Sequence, residues 1–155
     1  MGERWFARKT SARQRGIEEG YRSGLEERVA AELAAAGVTA AFESHIVYFT
    51  RPAKPARYTP DFLLPNGILI ETKGRFVTSD RQKHLAVKQE HPDLDIRFVF
   101  SNSRARISKQ SATMYSQWCL RYGFKFADKS IPPQWIKEPA LTERFTALQK
   151  ATRKP

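Results

Sequence analysis

The strongest constraint on how this chain folds is the tripeptide Pro65-Asn66-Gly67, which separates two strand-like runs, Tyr58 to Leu64 and Ile68 to Lys73. Proline presets a turn dihedral, and asparagine and glycine accept positive φ, so the stretch reads as a β-hairpin. Register then decides where its ionisable groups go. If all three residues form the turn, Leu64 faces Ile68, and counting back sets Asp61 opposite Glu71. Directly opposed side chains share a sheet face with their Cβ atoms about 4.5–5.5 Å apart. Lys73, two positions beyond Glu71, stands on that same face. A two-residue turn of Asn66 and Gly67 would instead set Asp61 opposite Thr72 and turn Glu71 to the other face.

In the first register two acids and an amine converge. Two close carboxylates repel and raise one pKa unless a cation neutralises them. Magnesium prefers oxygen ligands and takes one or two carboxylates together with substrate phosphate, which suits Asp61 and Glu71, and the Thr72 carbonyl could add a ligand. Such a centre serves phosphodiester hydrolysis, most fully with two metal ions about 3.5–4 Å apart. Lys73 would orient or deprotonate the attacking water, or stabilise charge on the phosphate; the sequence leaves both roles open. The competing reading is an exposed Glu71–Lys73 ion pair of little energetic value, with Asp61 as a turn residue.

Composition agrees with a nucleic-acid partner. The 155 residues hold 27 Lys and Arg against 16 Asp and Glu, a net charge of +11 that repels itself unless a polyanion is bound. Hydrophobic residues at 41% are enough for one folded domain, which at this length buries roughly 68–70% of its unfolded surface. The lone Cys119 cannot make an internal disulfide, and no apolar run reaches a membrane span, so a cytoplasmic setting without a membrane is expected.

Along the chain, residues 1–20 carry Arg4, Arg8, Lys9, Arg13 and Arg15 and read as a mobile basic arm. Ser23-Gly24-Leu25-Glu26 is a capping box opening a helix on Leu25, Val29 and Leu33 that ends at Gly37, and capping alone would explain Glu26. A strand is expected over Ala41 to Thr50, then a connector or bridge at Arg51 to Pro55, whose two prolines argue against regular pairing. Helices are expected from about Asp80 to Glu90 and from Thr113 to Tyr122, and a buried strand over Asp95 to Ser101. Phe124 to Phe126 reads as a short segment and Pro132-Pro133 as irregular. The basic tail after Pro139 stays unassigned. His45, His84 and His91 have no ligand spacing and read as solvated or hydrogen-bonded. Tyr115, Trp118 and Tyr122 read as core rather than base-stacking residues.

Pro60-Asp61 followed by Glu71-Thr72-Lys73 resembles the signature of the PD...(D/E)xK nuclease superfamily. The surrounding text is more specific: Arg22-Ser23-Gly24-Leu25-Glu26, Tyr58 to Ile68, Lys83-His84-Leu85, His91-Pro92, Leu94-Asp95-Ile96-Arg97 and Lys125 to Lys129. Together these resemble phage endonuclease I, a family of Holliday junction resolvases, from about Tyr21 to Pro139. The resemblance implies an α/β fold with a central mixed sheet flanked by helices, restriction-endonuclease-like, in a domain-swapped homodimer. It implies catalytic residues Glu26, Asp61, Glu71 and Lys73, with Glu26 serving the partner's site. The metal ligands would be Asp61, Glu71, Thr72 and Glu26, for magnesium, with manganese also supporting activity.

The expected organisation is an arm at 1–20, a nuclease domain at 21–139 with a bridge at about 47–57, and a tail at 140–155. Arg22, Arg75, Arg81, Lys83, Arg104 and Arg106 are the expected DNA contacts. Phosphate contacts of this kind add affinity without reading sequence, which favours selectivity for branched structure such as a four-way junction. The rival functions are a duplex endonuclease of the same superfamily, directed by sequence or damage, and a non-catalytic DNA-binding protein.

Overall fold

A computed structural model describes residues 24–51 and 54–154. The basic arm, Arg22 and the Ser23 cap fall outside them. The elements run α1 (Gly24–Ala35), β1 (Ala41–Phe42), β2 (Val47–Arg51), β3 (Lys54–Tyr58), β4 (Phe62–Leu63), β5 (Leu69–Lys73) and α2 (Thr78–Glu90). They continue with β6 (Ile96–Phe100), α3 (Tyr115–Tyr122), β7 (Lys125–Asp128), α4 (Pro133–Lys137) and α5 (Thr142–Ala151).

One mixed sheet has the order β1-β4-β5-β6-β7, and β2 with β3 forms a separate ribbon. β1, β4 and β5 pair antiparallel, whereas β5, β6 and β7 are parallel, so Lys73, Phe100 and Asp128 end their strands at one edge. Alternation divides the core in two. Leu69, Ile96, Phe98 and Phe100 face Val87 of α2, Trp118 of α3 and Leu148 of α5, while Phe62, Ile70 and Val99 face Leu25, Val29 and Leu33 of α1 and Trp135 of α4. Both faces of the sheet are therefore covered by helices, as the fold class requires.

The hairpin adopts the three-residue turn. Phe62 pairs with Ile70 and Leu63 with Leu69, and the Leu64 amide donates to the Ile68 carbonyl at 2.9 Å. Gly67 closes the turn at φ 91, where a Cβ would also lie 2.8 Å from Cβ of Arg144. Asn66 donates to the carbonyls of Trp135 (2.8 Å) and Glu138 (3.1 Å), tying the turn to α4. Behind it Arg97 and Arg144, almost wholly buried, share the carboxylates of Asp95 and Glu138, and Arg144 donates to the Asn66 carbonyl at 3.2 Å. The segment after Pro139, unassigned from sequence, is thus a helix fastened to the hairpin turn.

Four local expectations need correction. The run expected as one strand over Tyr58 to Leu64 is split, since Tyr58 ends β3 in the ribbon and only Phe62–Leu63 joins the mixed sheet as β4. The strand expected over 41–50 is broken, because Glu43 adopts φ 45 and gives its amide to the Asp61 carbonyl at 2.8 Å. Pro55 does pair, opposite Thr50. The Thr50 amide points away from β3 to the Glu90 carboxylate at 2.6 Å, so this pair exchanges no ladder bonds and the missing proline N–H costs nothing. Pro132-Pro133 is not irregular, since Pro133 starts α4 where its absent N–H would be unbonded anyway.

Candidate active site

At the sheet edge where β5 ends lies a cleft of about 430 Å³ lined by Glu26, Arg57, Tyr58, Thr59, Asp61, Glu71, Thr72, Lys73, Asp80 and Lys83. Glu26 arrives on the first turn of α1, from one face of the sheet. Glu71 and Lys73 arrive on β5 with the alternation of Leu69, from the other face. Asp61 sits between them at the entry to β4, in register with Glu71 by continuation of the Phe62–Ile70 pair. The hairpin register expected from the turn therefore gathers Asp61, Glu71 and Lys73, and α1 adds Glu26 to the same cleft.

Asp61 is held more tightly than simple cross-strand opposition requires. Its Oδ2 accepts from the Thr72 amide and from the Thr72 hydroxyl, both at 2.8 Å. Glu71 is held at both oxygens: Oε2 accepts from the Tyr58 hydroxyl at 2.7 Å, and Oε1 lies 3.3 Å from Nζ of Lys73. Lys73 also reaches Oδ1 of Asp80 at 3.4 Å, and Lys83 approaches the same oxygen at 3.9 Å.

Electrostatics follow from burial. Glu71 is pushed up to about 7, first by desolvation and then by the charge of Asp61, against the pull of Lys73 and Tyr58. Burial would lower the Lys73 amine, but Glu71 and Asp80 outweigh it and the net shift is upward, so Lys73 stays charged. Lys83 moves the other way, lowered by burial and by Lys73.

The acids fit a cation. Among the described residues Glu26, Glu43 and Asp61 bring one carboxylate oxygen each to within 4.8 Å of one another, and such an all-oxygen, anionic set suits a hard divalent ion. Glu71 is not part of that trio; burial first and the Asp61 charge second raise its pKa, and a cation nearby would offset both.

Comparison with known proteins follows the same line. The sequence matches the phage endonuclease I family profile over residues 4–154. The chain belongs to that family. Endonuclease I of Escherichia phage T7 is 48% identical over 130 residues, 84% of this chain and 87% of that protein. Endodeoxyribonuclease 1 of Enterobacteria phage T3 is 49% identical over 119 residues, 77% of this chain and 78% of that protein.

For this member of the phage endonuclease I family, the expected site residues separate clearly. Glu26, Asp61, Glu71, Lys73, Thr72 and Lys83 line the cleft. Glu26 stands at the site of its own chain. Arg75, Arg104 and Arg106 are exposed, without an acidic partner within 4.0 Å among the described residues. Arg81 is not a surface contact; it is buried and donates to the carbonyls of Phe76 and Ile107 and to the Thr78 hydroxyl. His84 is likewise buried, and among the described residues neither ring nitrogen has a hydrogen-bond partner, the ring lying against Tyr58, Phe76, Phe98 and Phe124.

Sequence reasoning missed Glu43, Tyr58 and Asp80. Glu43 lay in what read as a continuous strand, where nothing marks the bend that presents it. Tyr58 and Asp80 reach the site through folding of the ribbon and α2, and no spacing rule reports that. No described helix is long and apolar enough to cross a membrane.

Proposed function

We propose that this chain is a metal-dependent endodeoxyribonuclease that resolves four-way and other branched DNA junctions by paired nicks, acting as a homodimer in the cytoplasm of a phage-infected cell. The observation that carries this reading is the convergence of Asp61, Glu71, Lys73 and Glu26 in one cleft, on a chain 48% identical to an endonuclease I.

Asp61, Glu71 and Glu26 would hold the cation, with the Thr72 carbonyl, and Glu43 would add the oxygen that it brings beside Glu26 and Asp61. Magnesium, or manganese in its place, supplies Lewis-acid charge on the phosphate and lowers the pKa of water when bound. Thr72 fixes the Asp61 carboxylate before substrate arrives, which spares reorganisation during reaction. Lys73, kept charged by Glu71 and Asp80, is suited to stabilise the anionic phosphorus centre rather than to accept a proton. Lys83, Arg75, Arg104 and Arg106 would contact phosphates flanking the cut, and Arg22 would join them.

Dimerisation by exchange is compatible with the closed chain. Opening the ribbon between β2 and β3 would carry residues 24–51, with Glu26, onto a second subunit, and the contacts between that segment and residues 54–154 would re-form between chains. A two-fold dimer then presents two centres to the two-fold related strands of a junction.

Nicking of a four-way junction in magnesium tests the chemistry: Glu71→Ala and Lys73→Ala should abolish cleavage while junction binding survives excess linear duplex. Unchanged cleavage, or equal competition by duplex, overturns the reading. Exchange is tested by mixing Glu26→Ala and Asp61→Ala chains. A swapped heterodimer regains one intact site and nicks one strand, whereas unswapped subunits stay inert.

A further inference from the structure

Glu71 needs its orientation fixed, because a carboxylate free to rotate presents either oxygen to a cation. Of its two oxygens, Oε1 lies 3.3 Å from the Lys73 amine and Oε2 is taken by the Tyr58 hydroxyl at 2.7 Å. Tyr58 is 2% exposed and ends β3 opposite Val47, so its ring is fixed by the ribbon. His84 meets the ring edge-on with centroids 4.9 Å apart, and the Lys83 amine lies 5.3 Å from its centroid. The phenol hydroxyl is the donor in this bond, because the carboxylate oxygen can only accept.

We propose that Tyr58 is a positioning residue for Glu71, its hydroxyl pinning Oε2 at the floor of the cleft and turning Oε1 toward the cation and Lys73. This rests on the reading of Glu71 as a cation ligand. Partners that orient a ligand from behind typically control metal affinity or activity by about 10–100-fold. The hydroxyl also satisfies a buried carboxylate oxygen that would otherwise lack a donor on that side.

Tyr58→Phe removes the hydroxyl and keeps the ring contacts. Manganese binding to the protein alone, followed by electron paramagnetic resonance, should weaken about 10–100-fold, and junction cleavage under single turnover should need correspondingly more magnesium. Junction affinity without cation should stay at the wild-type value. His84→Phe is the control, because it alters the packing beneath the ring without touching the hydroxyl; it should leave manganese affinity unchanged. Wild-type manganese affinity in Tyr58→Phe overturns the proposal, as does an equal loss in His84→Phe. A Tyr58→Phe chain that fails to fold marks the hydroxyl as structural and overturns it too. The manganese measurement needs no DNA, so it is independent of whether junctions prove to be the substrate.

Discussion

The Thr72 amide and hydroxyl converge on a single oxygen of Asp61, each at 2.8 Å. Thr72 lies between Glu71 and Lys73 and faces the opposite way along β5, so one strand supplies an acid, an amine and the clamp for a second acid. Three consecutive residues therefore fix the relative placement of most of the centre.

Thr72→Val tests that clamp, because it keeps the shape and the amide bond and deletes the hydroxyl. Cleavage should fall roughly 10-fold, with junction binding intact in the absence of cation. Stability should drop by about 1–3 kcal/mol, since a buried carboxylate loses a donor. Full activity would show the hydroxyl to be incidental.

Magnesium should stabilise the fold more at alkaline than at acid pH. Glu71 titrates near 7 in the folded chain and near 4.5 unfolded, so between those values the native state holds a proton that the unfolded state has lost. Its contribution is complete below the unfolded pKa and is lost as pH rises through about 7. A cation replaces that proton, so the melting-temperature gain from magnesium should grow from pH 5 to pH 8; a gain independent of pH contradicts the assignment.

Acid should loosen the C-terminal helix first. Hydrogen bonding to Arg97 holds Glu138 down at about 2, and Arg97 with Arg144 outweighs burial to lower Asp95. Both shifts are depressions, so their stabilisation is present above the unfolded pKa near 4 and is lost as pH falls toward 2. Hydrogen exchange should show protection of α5 fading on acidification before that of β6, and Glu138→Gln should shrink the difference to the part that Asp95 carries.

Arg81 and the loop arginines should behave oppositely. Arg104→Ala with Arg106→Ala should lower the salt slope of junction binding by about 1 for each phosphate left without its arginine, with little change in melting. Arg81→Ala should cost about 1–3 kcal/mol of stability by stripping buried carbonyls of their donor, and leave the salt slope unchanged.

How much of this was legible differs from residue to residue. The Pro65-Asn66-Gly67 turn is local chemistry, and a period-2 side-chain pattern carries its consequence directly to Asp61, Glu71 and Lys73. Leu25, Val29 and Leu33 announce α1 in the same way. Glu43 was hidden because its role depends on a positive φ that no composition rule requires of glutamate. Arg81 looked like its neighbours in a basic stretch, and only burial distinguishes a strut from a surface charge. Pro55 misled because proline is barred from bonded ladder positions alone, and the sequence does not say which positions those are.

The guanidinium of Arg144 rests on the carbonyl of Asn66, on the far side of the molecule's business end. Shortening the polypeptide before that arginine would remove no acid and no amine from the cleft. It would nonetheless unlatch the bend that aligns the two hairpin strands, and nuclease function could be extinguished from behind with every reactive group still present.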